Sequence, residues 1–343
     1  MIFSPIAKRR WANFCYNKRG YYSLIFFIIL FIVTLFAEFV ASDKPILIIY
    51  KKQIYMPIFN AYSEITFGGD FETEADYIDP YVIKLIEDKN KGNGFIIWPL
   101  IKYSYKSINY NLPTPAPSDP TKENLLGTDD QGRDVLARLI YGFRITMLFA
   151  LLLTISSSII GIIAGAIQGY LGGIVDLLFQ RFIEIWSGMP VLFVFIILAS
   201  LVTPNFWWLL FIMLLFNWTS LVSVVRAEFL KARNLEYVNA AKALGVPEYT
   251  IIFRHVLPNA LVATITYVPF VLTGAITALT SLDFLGFGLP IGEPSLGELL
   301  AQGKNNLQAP WLGLTAFVAI SLLLSLLIFI GEAVRDAFDP RKS

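Results

Sequence analysis

Cysteine and histidine are almost missing from this chain: Cys15 is the single cysteine and His255 the single histidine among 343 residues. One cysteine permits no intramolecular disulfide. Zinc sites built from cysteine and histidine, and HExxH chemistry, lack the side chains they need, and a lone His255 gives a histidine-based triad weak support. Carboxylate chemistry stays open on these grounds. Charge is scarce too: Asp, Glu, Lys and Arg make up 15% of the chain, where a soluble domain carries about 25%. The net charge of +1 points to neither nucleic acid nor an acidic substrate. A nucleotide-binding loop is also lacking. The nearest sequence, GELLAQGKN at residues 297–305, has the wrong spacing and ends in Asn where Ser or Thr would meet magnesium. No cofactor is expected on this chain, so any ATP and its magnesium belong to a partner.

What the chain has in excess is apolar sequence, 56% of residues. It is gathered into runs of about 20 residues, the length of a bilayer-crossing helix. Residues 1–20 carry Lys8, Arg9, Arg10, Lys18 and Arg19 ahead of an apolar run at 21–41. That run is longer than a signal-peptide core, and Phe39, Val40 and Ala41 lack the small-x-small cleavage pattern, so an uncleaved first span is expected. Five further spans read at about 145–167, 183–202, 206–225, 260–282 and 311–330, with Glu184 and Pro190 interrupting the start of the third. The expectation is an all-α membrane protein of six transmembrane helices. The basic start places the N-terminus in the cytoplasm, and six spans return the C-terminus there. The loop 226–259 (Arg226, Lys231, Arg233, Lys242, Arg254) and the tail (Arg335, Arg341, Lys342) then lie inside, while 283–310 carries only Lys304.

The long polar segment 42–144 falls outside as a periplasmic insert between the first and second helices. The chain thus divides into 1–41, 42–144 and a core transmembrane domain at 145–343. Within the insert, LPTPAPSDP at 112–120 reads as extended. Residues 126–144 place Val135, Leu136, Leu139, Ile140 and Phe143 at helical spacing, with Asp129 or Asp130 as the cap. This predicts an amphipathic helix on the outer surface ahead of the second span.

Residues 237–258, YVNAAKALGVPEYTIIFRHVLP, form a polar, mixed-charge and helix-forming stretch between two apolar runs. One helix is predicted at 235–244, ended by Gly245. A second begins near Pro247 with Glu248 at its positive end, and Pro258 marks a boundary before the next span. Ala240, Ala241 and Gly245 offer small side chains to an approaching surface. A helix pair resting on the membrane interface fits the same pattern.

This stretch resembles the EAA loop of ABC importer permeases, the coupling helix that fits a cleft in the ATPase subunit. Ala240, Ala241, Gly245, Leu257 and Pro258 match the family pattern at full spacing, whereas Asn239 stands where a glutamate is usual and His255 where an aliphatic residue is. The resemblance implies ATPase docking through Asn239, Ala240, Ala241, Gly245, Arg254, Leu257 and Pro258. The stretches LLGTDDQGRDVLARLIYGFR, GYLGGIVDLLFQR, SLDFLGFGLP and GEAVRDAFDPR are similar to dipeptide and oligopeptide permeases over about 125–341. FGGDFETEADYIDPYV at 67–82 is closer to the permease of the microcin C and oligopeptide importers. The resemblance implies an inner-membrane permease subunit for peptides with no catalysis of its own. Its implied partners are one or more ATPases, a second homologous permease, a periplasmic solute-binding protein, the peptide cargo and membrane lipid.

Other features carry two readings each. Gly161, Gly165 and Gly169 line one helix face, as a moving interface or as static packing. Asn217 lies deep, as a hydrogen-bonding link between helices or a solute contact. Glu38, Glu184, Asp283 and Glu332 sit near span ends and read as interfacial. The glycine- and proline-rich stretch 283–303 reads as an outer re-entrant or gate segment. The competing functions are a permease for nickel or another small solute, an ion-coupled secondary transporter and an intramembrane enzyme. The second needs buried ionisable groups at mid-membrane, and few are present.

Overall fold

The computed structural model describes residues 5–87, 94–202, 205–290 and 292–339. Two compact units form: Met1–Ile28 with Thr146–Pro290 and Ile320–Ser343, and Ile29–Ile145 with Ile291–Ala319. The expected tail cations Arg341 and Lys342 lie outside the described residues.

The chain opens with the basic helix α1 (Pro5–Tyr16) and the apolar α2 (Lys18–Leu35), followed by a single turn, α3 (Ala37–Val40). The first span therefore ends ahead of the expected residue 41. Glu38 in the short turn receives both bonds of a bidentate pair from Arg144, at 2.8 and 3.0 Å.

The insert departs from the all-α expectation. Strands β1 (Leu47–Tyr50), β2 (Gln53–Tyr55) and later β3 (Phe95–Ile97) make an antiparallel sheet in the order β2-β1-β3. Helix α4 (Pro80–Glu87) covers it, burying Val82 and Ile86 against Ile48, Tyr50, Phe67 and Tyr77. Phe67 meets Tyr50, Tyr55, Tyr62 and Tyr77 edge to face, the arrangement that aromatic quadrupoles favour. The stretch 67–82 is thus part of a core, because Phe67, Ala75, Tyr77 and Val82 turn inward, while its acids, Phe71 and Tyr81 are exposed.

Residues 126–144 do not form a separate surface helix. Helix α5 (Val135–Leu171) starts at Val135 and runs unbroken into the second span. Neither Asp129 nor Asp130 caps it: Asp134 does, its Oδ1 accepting the Ala137 amide at 2.7 Å. Asp129 is instead fully buried. Its Oδ1 accepts the amides of Gln131 and Arg133, both at 2.9 Å, and its Oδ2 pairs with Arg133 Nε at 2.7 Å and Arg138 Nε at 3.3 Å. Arg138 also reaches Glu298 Oε2 at 2.5 Å. Burial raises the carboxyl pKa of Asp134 and of Glu298, and Arg138 and Arg133 pull Glu298 back down. A carboxyl raised in the fold favours folding most in its protonated form, and that contribution is lost as pH rises through the raised value. At neutral pH the burial of these acids therefore opposes folding; the two arginines offset it at Glu298, and bonds from Asn124 and the Ala137 amide offset it at Asp134.

After α5 come α6 (Gly173–Ser187), α7 (Val191–Leu201), α8 (Phe206–Asn217) and α9 (Thr219–Ala232). The loop helices α10 (Glu236–Ala243) and α11 (Glu248–Ile251) lead into α12 (Leu257–Phe284), α13 (Leu296–Asn305) and α14 (Pro310–Phe338). Among the described residues five helical stretches are long and apolar enough to cross a membrane: Lys18–Leu35, Val135–Leu171, Phe206–Ala232, Glu248–Phe284 and Pro310–Phe338. A sixth exists only as a pair, Gly173–Ser187 with Val191–Leu198, bent by 67°. The expected third span, 183–202, straddles that bend. Pro190 caps the second half there, and a proline both lacks an N–H and pushes the residue before it out of the helical region.

The glycine stripe of α5 is a packing surface within the first unit. A Cβ at Gly161 would stand 2.7 Å from the Trp218 carbonyl oxygen, and one at Gly165 2.8 Å from that of Val222. At Gly169 it would meet the Arg226 carbonyl oxygen at 2.6 Å. Only hydrogen at these positions lets α5 lie against α9 this closely. Asn217, the last residue of α8, ties that helix to α5, donating from Nδ2 to Ser157 Oγ at 3.2 Å. Gly165→Leu forces α5 and α9 apart at a cost of about 1–3 kcal/mol. It should lower the melting temperature of the purified protein, whereas Gly274→Leu, with open space at its Cβ, should leave it unchanged.

At the end of α12, Gly286 (φ +80°) turns the chain. Asp283 Oδ1 then accepts the Leu289 amide at 2.8 Å, so the glycine-rich stretch begins as a tight fold-back on the helix end.

Candidate functional site

The loop between α9 and α12 stands on an apolar footing. Val238, Ile251 and Val256 are fully buried, and they pack with Tyr170 at the end of α5, Val225, Phe229 and Ala232 on α9, and Ala260. Arg226 on α9 forms a bidentate pair with Asp176, one arm at 2.6 Å, which fixes α9 to α6. Lys242 lies over the ring of Tyr170, 5.1 Å from its centroid. The loop is therefore held from beneath by aliphatic packing, which is why a segment of such mixed polarity is ordered.

Helix α10 ends as the sequence predicts. Gly245 takes φ +75°, its amide donates to the Lys242 carbonyl at 3.0 Å, and the Val246 amide donates to Ala241 at 3.1 Å. This is the paired closure of a Schellman motif, and it needs a left-handed residue that glycine supplies without strain. Pro247 then serves as the N-cap of α11, with Glu248 in the first turn.

Pro258 does not end a helix. From Glu248 the chain is helical without interruption to Phe284, because residues Ile252–Val256 widen into a π turn. A proline removes one backbone donor and crowds the carbonyl four residues back, and a wider turn respaces those carbonyls. The His255 carbonyl accepts from Asn259 Nδ2 at 3.1 Å and from the Tyr237 hydroxyl at 3.5 Å, which joins α10 to the bulge.

The structure sorts the sequence-derived residues onto two faces. Asn239, Ala240, Gly245, Arg254 and Pro258 are exposed. Ala241 and Leu257 are half-buried and pack onto the footing. Asn239 donates from Nδ2 to the Asn234 carbonyl at 3.3 Å, so it stabilises the turn between α9 and α10 in a position where a glutamate carboxylate has no proton to give. Three residues the sequence reading did not single out dominate the outward face: Leu244 is 84% exposed, Tyr249 68% and Phe253 67%. Their apolar character, in a segment otherwise too polar for a span, was the available signal. Among the described residues no cluster of His, Cys, Asp and Glu is arranged to hold a metal ion.

Helices of membrane length, joined by a loop whose helix pair is packed on a buried footing, mark an integral membrane protein. Residues 157–343 match the family described as binding-protein-dependent transport system inner membrane component, and the chain belongs to it. It is accordingly a permease subunit of a binding-protein-dependent ABC importer in the inner membrane. Its relatives include the inner membrane ABC transporter permease protein YejE of Escherichia coli (strain K12), 58% identical over 99% of this chain and 98% of that protein. The peptidoglycan transport system permease protein YejE of Agrobacterium fabrum is also 58% identical, over 99% and 94% respectively. The oligopeptide transport system permease protein OppC of Haemophilus influenzae is 36% identical, over 70% of this chain and 77% of its own.

Proposed function

We propose that the chain imports peptides and that its α10–α11 pair is the seat of a separate ATPase. The observation that carries the docking role is the exposure of Leu244, Tyr249 and Phe253 on a loop whose footing of Val238, Ile251 and Val256 is fully buried. Large apolar side chains held rigidly on a surface are what a partner's cleft buries. The N- and C-termini and this loop face the cytoplasm, and the insert 42–144 faces the periplasm, where a solute-binding protein delivers cargo. A second, homologous permease completes the pore. ATP binding and hydrolysis in the partner move the loop, and the unbroken helix Glu248–Phe284 passes that motion into the membrane without a hinge at Pro258. This chain performs no bond chemistry and holds no cofactor.

Peptide cargo is supported by the oligopeptide and dipeptide permeases among the relatives. A narrower reading, peptides cut from peptidoglycan, is favoured by the Agrobacterium relative, whose identity is as high as that of any relative described above. Uptake by the reconstituted importer tests both. A panel of a dipeptide, a longer oligopeptide, a peptidoglycan-derived peptide and nickel separates the classes. ATP-dependent uptake of nickel alone would overturn the peptide reading.

A further inference from the structure

At the head of the first unit, α1 and the last turns of α14 enclose a groove of about 650 Å³. Its wall is apolar, made by Trp11, Phe14, Leu24, Val334 and Phe338. Phe14 is buried against Ala333 and Ala337, so α1 is packed onto the end of α14. Gly20 makes this closeness possible: a Cβ there would stand 2.9 Å from the Phe329 carbonyl oxygen. The groove therefore lies where α2 begins as a membrane-length helix and where α14 ends as one.

Its rim is cationic. Lys8 and Arg10 line the opening, and the Arg10 guanidinium lies 4.4 Å from the Phe338 ring centroid, which orients it along the wall. Arg9 is exposed beside them, whereas Lys18 and Arg19, at the start of α2, line a neighbouring pocket together with Asp336 of α14. No acidic residue occurs in the chain before Glu38, and none of the described residues lining the groove is acidic, while Asp336 of α14 lies on the side of Lys18 and Arg19. An apolar trough at the ends of two spans, opening onto lysine and arginine, complements a molecule with an acyl tail and an anionic head. A soluble ligand of that charge would leave the apolar wall unmatched, and a neutral lipid would leave the cations unmatched.

We infer that this groove is a binding site for an anionic phospholipid, one acyl chain lying along Trp11, Phe14 and Phe338 and the phosphate meeting Lys8 and Arg10. The site is distinct from the α10–α11 pair and does not depend on the docking role assigned there. Polybasic segments beside a span gain anionic-lipid affinity with each cation added. The bound lipid would anchor α1 against α14, adding to the packing of Phe14 on Ala333 and Ala337 and the contact of Arg10 with Phe338.

The test uses the full-length protein in mild detergent with matched phosphatidylglycerol and phosphatidylcholine, read by native mass spectrometry. Two cations at the headgroup correspond to about a 30-fold preference for phosphatidylglycerol. Lys8→Gln, at an exposed position, should remove about fivefold of that preference. The double variant Lys8→Gln/Arg10→Gln should bring it to the level of phosphatidylcholine. Ala7→Phe, which fills the groove and removes no charge, should reduce retention of both lipids. Lys51→Gln/Lys52→Gln, the same charge change on the insert, should alter nothing. Equal retention of the two lipids by the native protein would overturn the site. So would an undiminished preference in Lys8→Gln, displacement of the lipid by inorganic phosphate, or a stable dimer covering the groove.

Discussion

Gly245→Trp should abolish uptake while the permease still inserts and folds. The backbone at 245 is left-handed, so any side chain adds strain of about 1–2 kcal/mol. That strain alone does not explain a loss of transport, because a Cβ at this site meets open space in the isolated chain. An indole there extends from an exposed position on the loop that carries Leu244, Tyr249 and Phe253, where it would obstruct a docked partner. Gly245→Asn separates the two effects. Asparagine tolerates the left-handed region and is small, so it should retain most of the uptake. The measurement is ATP-dependent uptake alongside ATPase co-purification. Near-normal values for the tryptophan variant would contradict the docking surface.

The second large effect lies in the other unit. Asp129→Ala should destabilise it by about 3–5 kcal/mol, the usual consequence of removing one partner of a buried ion pair. Asp129 holds Arg133 and Arg138 together, and Arg138 is fully buried. Without Asp129, Glu298 is the one remaining carboxylate paired with both arginines. The loss also frees two backbone amides, those of Gln131 and Arg133. Asp129→Asn keeps an acceptor for these amides and removes the charge, so its effect should be intermediate. Thermal unfolding and limited proteolysis between residues 42 and 134 read the difference. A melting curve unchanged in Asp129→Ala would show that the arginines are satisfied without it.

The spans were legible in the sequence because an apolar run of about 20 residues has few other uses. Their ends were less so. Helix α5 begins well before the apolar run, and its early turns carry Arg138 and Arg144. A hydropathy reading treats those arginines as surface residues, yet Asp129, Glu298 and Glu38 neutralise them from distant parts of the chain. The same blindness to distant partners hid the sheet of the insert, whose strands are three or four residues long and pair across about half the insert. Pro258 misled for a local reason: a proline usually marks a boundary, and the π turn that absorbs it leaves no composition signal.

At the loop, Gly245 and the two helices beside it were readable from turn chemistry alone. Which residues face outward was not. Ala240 and Ala241 are adjacent and alike in sequence, but the footing of Val238, Ile251 and Val256 turns Ala241 in and leaves Ala240 out. Leu244 and Phe253 look like core residues by type, and only the position of the footing shows that they are not.

If this face meets an ATPase, photo-cross-linking in native membrane captures the pair. A photoreactive amino acid at position 244 or 249 should form an adduct identified by mass spectrometry as an ATPase subunit. The same group at Trp207, equally exposed at the start of α8, should form none. An ATPase adduct from position 207 and not from 244 or 249 would contradict the account.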